Sequence, residues 1–337
     1  MRIVIDAFGG DNAPLCNIKG AADAVKEFGI TAVLVGKSDE IKLCAEQNGI
    51  SLEGIEIVDA PDVFSMHFAP TDLLKAGKDS SLAVGMKYAA EGNADAFVSA
   101  GSTGAVVVGG TFICKRIKGV KRAALGSVVP TKDGKTFITD IGANAECRPE
   151  MLCQFASMAA AYLTKVEGIE NPTIGLLNIG AEDTKGGELQ IEAYKLLKES
   201  GLNFVGNVEG RDVANGAADA IIADGFTGNV ALKMYEGVSL TLFKIIKNLF
   251  KTNFITLISG ALIKPYMGGL KKKFDYAETG GAPLLGVKVP VIKAHGSSDA
   301  RAIKNAIRQA VRAVENDLVG SISEGLASLK ADETITD

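Results

Sequence analysis

Short β-branched runs alternate with longer helical patterns through almost the whole chain. Residues 2–5, 31–35, 55–58, 96–99, 136–139, 174–178, 204–206, 220–223 and 291–294 read as strands. Between them, residues 14–28, 40–48, 82–91, 150–166 and 188–200 carry apolar side chains at helical spacing. In the first of these, Leu15, Ile18, Ala21, Ala22 and Val25 form the stripe, and Pro14 suits a first helical turn, where its missing N–H costs nothing. Strand–helix–strand alternation predicts an α/β fold, with a mostly parallel sheet covered by helices on both faces. At 337 residues the length fits about two domains, and a single α/β domain with an insertion fits equally.

Composition enters through what it excludes. A chain with 47% hydrophobic and 23% charged residues is not a disordered one. A net charge of −4 argues against a protein that coats nucleic acid, and without Trp a base-stacking platform is not expected. The five cysteines (16, 44, 114, 147 and 153) include no C-x-x-C pair, and His67 and His295 are far apart in sequence. That pattern predicts reduced thiols and no metal site. Asp6 would interrupt the apolar core of a signal peptide, and no run of about 18 apolar residues occurs. The expectation is a cytoplasmic protein without a membrane span.

The loops at the strand ends carry the chemical information. Six runs lead into small residues interleaved with hydrogen-bonding ones. These are Asp6-Ala7-Phe8-Gly9-Gly10-Asp11, Ser99-Ala100-Gly101-Ser102-Thr103-Gly104, Asp140-Ile141-Gly142-Ala143-Asn144, Asn178-Ile179-Gly180-Ala181-Glu182, Asp224-Gly225-Phe226-Thr227-Gly228-Asn229 and Ala294-His295-Gly296-Ser297-Ser298-Asp299. In open α/β sheets ligands bind outside the carboxyl ends of strands, where glycine admits close approach and helix N-termini offer N–H groups to anions. Six such loops on one edge predict a broad cleft for a polar or phosphorylated ligand. Glycine as a plain turn residue explains any one loop more easily than all six. No G-x-G-x-x-G follows a strand, Gly134-Lys135-Thr136 lacks the upstream glycine of a P-loop, and no G-x-S-x-G elbow occurs. Cys147 comes nearest to a reactive thiol, but nothing around it suggests activation. Neither a nucleotide-driven reaction nor a covalent acyl-enzyme is expected.

Two ionisable side chains stand out. Lys185 falls near the start of the helix predicted at 188–200, where a cation opposes the helix dipole; an anionic ligand would explain it, and a solvated surface lysine is the alternative. His295 ends a strand before a polar loop, which suits a site, with a satisfied core histidine as the alternative. His67, between Met66 and Phe68, reads as structural or peripheral.

One segment departs from the alternation. Residues 240–273 hold seven lysines and no arginine, aspartate or glutamate. Leu242, Phe243, Ile245, Ile246, Leu249 and Phe250 make one apolar pattern; Phe254, Ile255, Leu257, Ile258, Ala261 and Leu262 make a second. Two amphipathic helices are expected, broken near 251–253 and ended by Lys264-Pro265. They would form an arm, residues 238–274, inserted into a single catalytic domain spanning 1–337. A basic amphipathic arm suits an anionic bilayer or an acidic protein partner, while the apolar stripes would also suit a dimer interface.

In their joint order these motifs resemble the PlsX-type phosphate acyltransferases, which make acyl-phosphate from acyl-acyl-carrier-protein and inorganic phosphate at the start of bacterial phospholipid synthesis. The resemblance runs from Met1 to about Ala313. Besides the strand-end loops it takes in Asn171-Pro172, Gly175-Leu176-Leu177-Asn178-Ile179-Gly180 and Gly206-Asn207-Val208-Glu209-Gly210-Arg211-Asp212. Ser102 stands where the family usually has Asn, and Ala181 where it usually has Glu. The resemblance implies a three-layer α/β/α fold like that of isocitrate and isopropylmalate dehydrogenases and of phosphate acetyltransferases. It also implies a homodimer, no cofactor, and a product passed to a membrane glycerol-3-phosphate acyltransferase.

The chemistry so implied is attack of a phosphate oxygen on a thioester carbonyl. Phosphate near pH 7 is already ionised, so the protein has to bind it, orient it and stabilise the developing oxyanion. The candidate catalytic residues are Lys185, Asn229, Asn178, His295 and Asn144. Lys185 and backbone amides near Gly9-Gly10 and Gly228 would hold phosphate, and the three asparagines with His295 would polarise the carbonyl or steady the leaving thiolate. Asp6, Gly9, Gly10, Asp11, Ser99, Ser102, Thr103, Glu182, Thr227 and Gly228 are the candidate substrate-binding residues, with no metal ligand expected. The rival readings are an acyl-CoA:phosphate acyltransferase, a decarboxylating dehydrogenase on the related fold, and a non-catalytic scaffold that recruits lipid-synthesis proteins. The dehydrogenase would need a metal-binding carboxylate cluster and an arginine cluster, and the sequence offers neither.

Overall fold

The computed structural model describes residues 1–65, 67–274 and 276–333, with the side chains of 270–272, 276 and 330–333 outside the description. Met66 and two of the seven arm lysine side chains, Lys271 and Lys272, therefore lie outside the described parts. Among the described residues the strands are β1 (Arg2–Asp6), β2 (Thr31–Gly36), β3 (Ile55–Asp59), β4 (Ala96–Ser99), β5 (Ala124–Pro130), β6 (Lys135–Thr139), β7 (Ile174–Asn178), β8 (Phe204–Glu209), β9 (Ala220–Ile222), β10 (Ala282–Leu285) and β11 (Val291–Lys293). The α-helices are α1 (Leu15–Phe28), α2 (Ser38–Gln47), α3 (Ser81–Ala90), α4 (Thr103–Phe112), α5 (Pro149–Tyr162), α6 (Glu188–Glu199), α7 (Gly225–Leu249), α8 (Phe254–Lys273), α9 (Tyr276–Thr279), α10 (Ala300–Glu315) and α11 (Leu318–Glu333).

All eleven strands join one sheet, in the order β3-β2-β1-β4-β11-β10-β5-β6-β9-β7-β8. Two parallel groups make it up. β3, β2, β1, β4 and β11 run one way. β6, β9, β7 and β8 are also mutually parallel. Between the groups, β10 is antiparallel to both β11 and β5, and β5 is antiparallel to β6. The second group therefore runs opposite to the first.

Both sheet faces are apolar, as a helix-covered sheet requires. Ile3 and Ile5 face Ile18, Ile303 and Ile307 of α1 and α10, while Val4 faces the other way, into a cluster with Leu82, Met86 and Phe97. In the second group Phe137, Ile174 and Leu176 meet Phe155 and Tyr162 of α5, Leu197 of α6 and Ile322 of α11. The Phe137 and Tyr162 rings stack at 4.7 Å. The result is the three-layer α/β/α architecture expected.

Three departures from expectation have physical causes. β5 and β10 were not anticipated: β5 is interrupted in character by Gly126 and Ser127, and β10 is four residues long and contains Pro283. Both are recognisable only through their long-range antiparallel partners. Second, the proximal arm helix is the far half of α7, which begins well before it at Gly225. Third, Lys264-Pro265 does not end the other arm helix, since α8 continues to Lys273 with Pro265 inside it. Residues 261–266 are exposed, so water can take up the carbonyl that the proline leaves without a donor. The expected break at 251–253 is present, and there Asn253 caps α8 by accepting from Thr256 N–H at 3.0 Å. At the base, Phe274 lies against Tyr235 and Phe243 of α7. No described helix is long and apolar enough to cross a membrane.

Candidate active site

The antiparallel seam divides the six glycine-rich loops, which the sequence placed along one edge, into two groups of three. The loops after β1, β4 and β11 leave the edge at which β5 ends, at Pro130. Those after β6, β9 and β7 leave the opposite edge, where Leu125 at the start of β5 donates to Asp140. Helix α7 links the groups. Asp224 caps it at the second edge, and further along, the Tyr235 hydroxyl donates to Pro130 O at the first.

At the first edge a buried carboxylate organises the backbone. Asp6 accepts from Ser81 Oγ at 2.6 Å, Ser99 Oγ at 2.7 Å and Phe8 N–H at 3.2 Å. Asp6 and Ser99, both expected to bind substrate, thus lie beneath the loops and hold them from below. Burial pushes the Asp6 carboxyl up, against the opposing effect of these hydrogen bonds. Gly9 sits so close above it that a Cβ would come within 2.7 Å of Gly101 N, and Gly10 has φ +96°. Asp11 N–H donates to Gly296 O at 2.8 Å. The loops after β1, β4 and β11 therefore interlock into a glycine floor. Ser102 stands at the N-cap of α4, Thr103 is its exposed first residue, and the Asp11 side chain is exposed.

His295 lies at the rim of that floor. Its Nδ1 accepts from Ser297 N–H at 3.2 Å and is 2.8 Å from Ser297 Oγ, which leaves the proton of the neutral ring on Nε2. Partial burial and, secondarily, Lys233 of α7 lower its pKa, so the ring is neutral at pH 7.

The second edge repeats the device. Asp140 is buried, and its oxygens accept from the N–H groups of Leu125, Gly142, Ala143 and Asn144 at 2.8–3.2 Å. Asn144 directs its amide to Ala123 O (2.7 Å) and Asp140 Oδ2 (2.8 Å), so both of its protons are committed within the loop. Gly228 packs on the Asp140 carbonyl, which a Cβ would overlap. Thr227 is likewise committed, donating from N–H (2.9 Å) and Oγ1 (2.7 Å) to Asp224. Asn229 belongs to the first turns of α7, not to a loop as expected. It is exposed, and its amide has no hydrogen-bond partner among the described residues.

On neighbouring β7, Asn178 is buried; it donates to Lys185 O at 3.0 Å and accepts from Ile179 N–H at 2.8 Å. Asn207 donates to Glu182 O at 2.7 Å. Together these amides hold the loop that carries Lys185. The lysine precedes the Gly187 cap of α6 by two residues, so it lies outside the helix and the dipole argument for it falls away. Its ammonium is exposed, with only a long 4.0 Å pairing to exposed Glu182 among the described residues.

The residues expected to act therefore separate into two kinds. Lys185, Asn229 and His295 present polar atoms outward, while Asn144, Asn178, Asp6, Ser99 and Thr227 position backbone. Two buried carboxylates (Asp140, Asp224) and one buried lysine (Lys293) were not singled out; a lysine inside the apolar run Val291-Ile292-Lys293-Ala294 was the available signal. Cys147 is a poor nucleophile, its thiol pushed up to about 12 by burial and by Asp140. The arrangement suits binding an anion and polarising a carbonyl with neutral donors and a cation.

Residues 1–320 match the family model described as "Fatty acid synthesis protein". A phosphate acyltransferase of Clostridium acetobutylicum is 48% identical over 330 residues, covering 98% of this chain and all of that one. One from Alkaliphilus oremlandii is 46% identical over 333 residues, covering 99% of each. Among solved structures, a phosphotransacetylase from Streptococcus pyogenes superimposes with a TM-score of 0.65 at 18% identity, covering 94% of each chain. A 4-hydroxythreonine-4-phosphate dehydrogenase from Klebsiella pneumoniae does so with 0.55 at 14% identity, covering 93% of this chain and 99% of that one. At such identities the two structures speak to the fold alone.

Proposed function

The chain belongs to the fatty acid synthesis protein family, and from that premise we propose that it transfers a fatty acyl group from acyl-acyl-carrier-protein to inorganic phosphate. Acyl transfer to phosphate is the activity that its relatives' name states, and it makes the chain an acyltransferase. The observation that carries the residue roles is the contrast at the ends of adjacent strands β7 and β9. There Lys185 and Asn229 offer a cation and an amide to the outside, while the polar side chains around them are committed to backbone or to one another.

In this reading the exposed Lys185 ammonium holds phosphate, while the α7 amides of Gly225, Thr227 and Gly228, committed to Asn144 O and Asp224, fix the helix end beside it. Asn229 Nδ2 acts as a donor to the carbonyl oxygen as it gains charge, and the neutral His295 ring, at the other edge, steadies the leaving thiolate. Preorganised donors of this kind need no reorganisation at the moment of reaction. Asn144 and Asn178 hold the loops, and the glycine floor admits the substrate backbone closely. Incubation with palmitoyl-acyl-carrier-protein and phosphate should yield acyl-phosphate, detected directly. Product from palmitoyl-CoA alone would correct the donor, and product from neither would overturn the function.

The arm supports a place for the reaction. Phe254 and Ile255 are each 75% exposed and Leu262 is 72% exposed, beside lysines and no acid. Such a surface fits an anionic bilayer, at about 1 kcal/mol per lysine near it, or the acidic carrier protein. Nearer the body, Phe226, Val230, Met234 and Val238 form an exposed stripe at four-residue spacing along α7, suited to a second copy of the chain. Release at a membrane would deliver a hydrolytically labile product to a glycerol-3-phosphate acyltransferase there.

A further inference from the structure

Lys293 closes β11, a strand apolar at every other position, and is itself 7% exposed. A buried lysine is rare without a paired acid, and among the described residues no carboxylate lies within ion-pair distance of this one. Its ammonium donates to two backbone carbonyls, Ala100 O at 3.4 Å and Ala294 O. An ammonium carries three protons, and the third has no acceptor among the described residues. Both carbonyls belong to the interlocked floor at the first edge, so the head group is held just under the surface on which His295 stands.

The surrounding charges come from three directions. Asp6 at the end of β1 and Asp11 in the following loop favour the ammonium; Lys233 on α7 opposes it. Burial outweighs these, and it lowers the lysine to about 8. An alkyl thiol has a similar value. Near neutrality the group can therefore both give and regain a proton, which an exposed lysine does poorly.

We propose that Lys293 is the proton donor to the leaving thiol in acyl transfer, a role that rests on the reading of this chain as a phosphate acyltransferase. A phosphate oxygen forms the new bond to the carbonyl carbon, the carbon–sulfur bond breaks, and its electron pair goes to sulfur. The sulfur takes a proton from Lys293 Nζ. The attacking oxygen is an ionised one; the hydrogen on another oxygen of the same phosphate becomes more acidic once the phosphate is acylated, and its transfer to Nζ restores the ammonium. Hydrogen phosphate and thioester thus become acyl-phosphate dianion and thiol, with no further reactant. In reverse, the neutral amine takes the proton of the thiol. Lys185 and Asn229 keep their roles in binding and polarisation.

Leaving-group dependence tests this where a structural role would not show. An alkyl (pantetheine-type) thioester needs a proton on sulfur as it leaves; an aryl thioester, whose thiolate is stable, does not. Lys293→Met, which keeps the chain length without charge, should lose at least about 100-fold in kcat on the alkyl thioester and far less on the aryl one. In the wild-type enzyme the ratio of alkyl to aryl turnover should fall as pH rises through about 8, because the ammonium is lost there. Phosphate ionisation cancels in that ratio. Equal losses on both thioesters, or a ratio flat between pH 7 and 9, would remove Lys293 from proton transfer while leaving the function standing. If Lys293→Met fails to fold, the wild-type ratio decides. A wild-type enzyme that makes acyl-phosphate from neither thioester would instead overturn the functional reading.

Discussion

The two ends of helix α7 obey different physics. Its first turn is locked: Asp224 caps it, Gly225 and Gly228 are buried, and Gly225 N–H donates to Asn144 O at 2.7 Å. Its last turns carry Leu242, Ile245 and Leu249, each more than half exposed. At the first end, polar side chains are committed to backbone so that a few others can stay free in fixed positions. At the far end, apolar side chains are exposed and the lysines are solvated. One continuous helix thus joins the candidate site to an exposed apolar surface, and substitutions at its two ends should affect different properties.

The largest effect is expected at the chemical end. Lys185→Ala should lower turnover by about 10²–10³-fold, with a raised KM for phosphate and an unchanged thermal midpoint. Unchanged kcat and KM would make it a surface lysine. Asn229→Ala should follow with about 10²-fold lost, again without a stability change, because its amide has no partner among the described residues to lose. A variant with a lowered melting point but full specific activity would reassign Asn229 to structure.

Gly228→Ala should act on stability more than on turnover. Its Cβ would overlap the Asp140 carbonyl, so about 1–3 kcal/mol of stability should be lost, read as a lower denaturation midpoint. The folded fraction should keep more activity than the Lys185 or Asn229 variants. A midpoint equal to wild type would mean that the contact between α7 and the loop after β6 relaxes freely. The smallest change in turnover belongs to the arm. Leu257→Glu with Ile258→Glu should abolish sedimentation with anionic vesicles and leave soluble turnover within about twofold. Aggregation or dissociation to monomers would show that the stripe is internal to an assembly. Wild-type protein that ignores such vesicles at low salt would overturn membrane contact by the arm.

Much of this was legible in the residues. The strands that carry the site were visible because their apolar runs are local and bounded by glycine and polar residues. The two arm helices were visible because amphipathic spacing is also local. The local pattern puts Asn229 in a loop, since Gly225 and Gly228 read as turn residues; they are glycines because the backbones of Asn144 and Asp140 approach too closely for any Cβ, and the helix capped by Asp224 runs through them. Asp6 and Asn144 looked like ligand-binding side chains because a polar residue at a strand end looks the same whether it faces out or holds the loop beneath.

By itself, then, the sequence determined the alternation of strands and helices, the polar loops and the charge of the arm, all set by neighbours along the chain. Tertiary structure alone decided the direction of the second strand group, through the antiparallel β10–β5–β6 seam, and with it the division of six loops between two edges. It also decided that Lys293 is buried beneath a floor built from three separate loops. Strand polarity and burial depend on which distant segments come to lie side by side, and that pairing is not encoded in any local pattern.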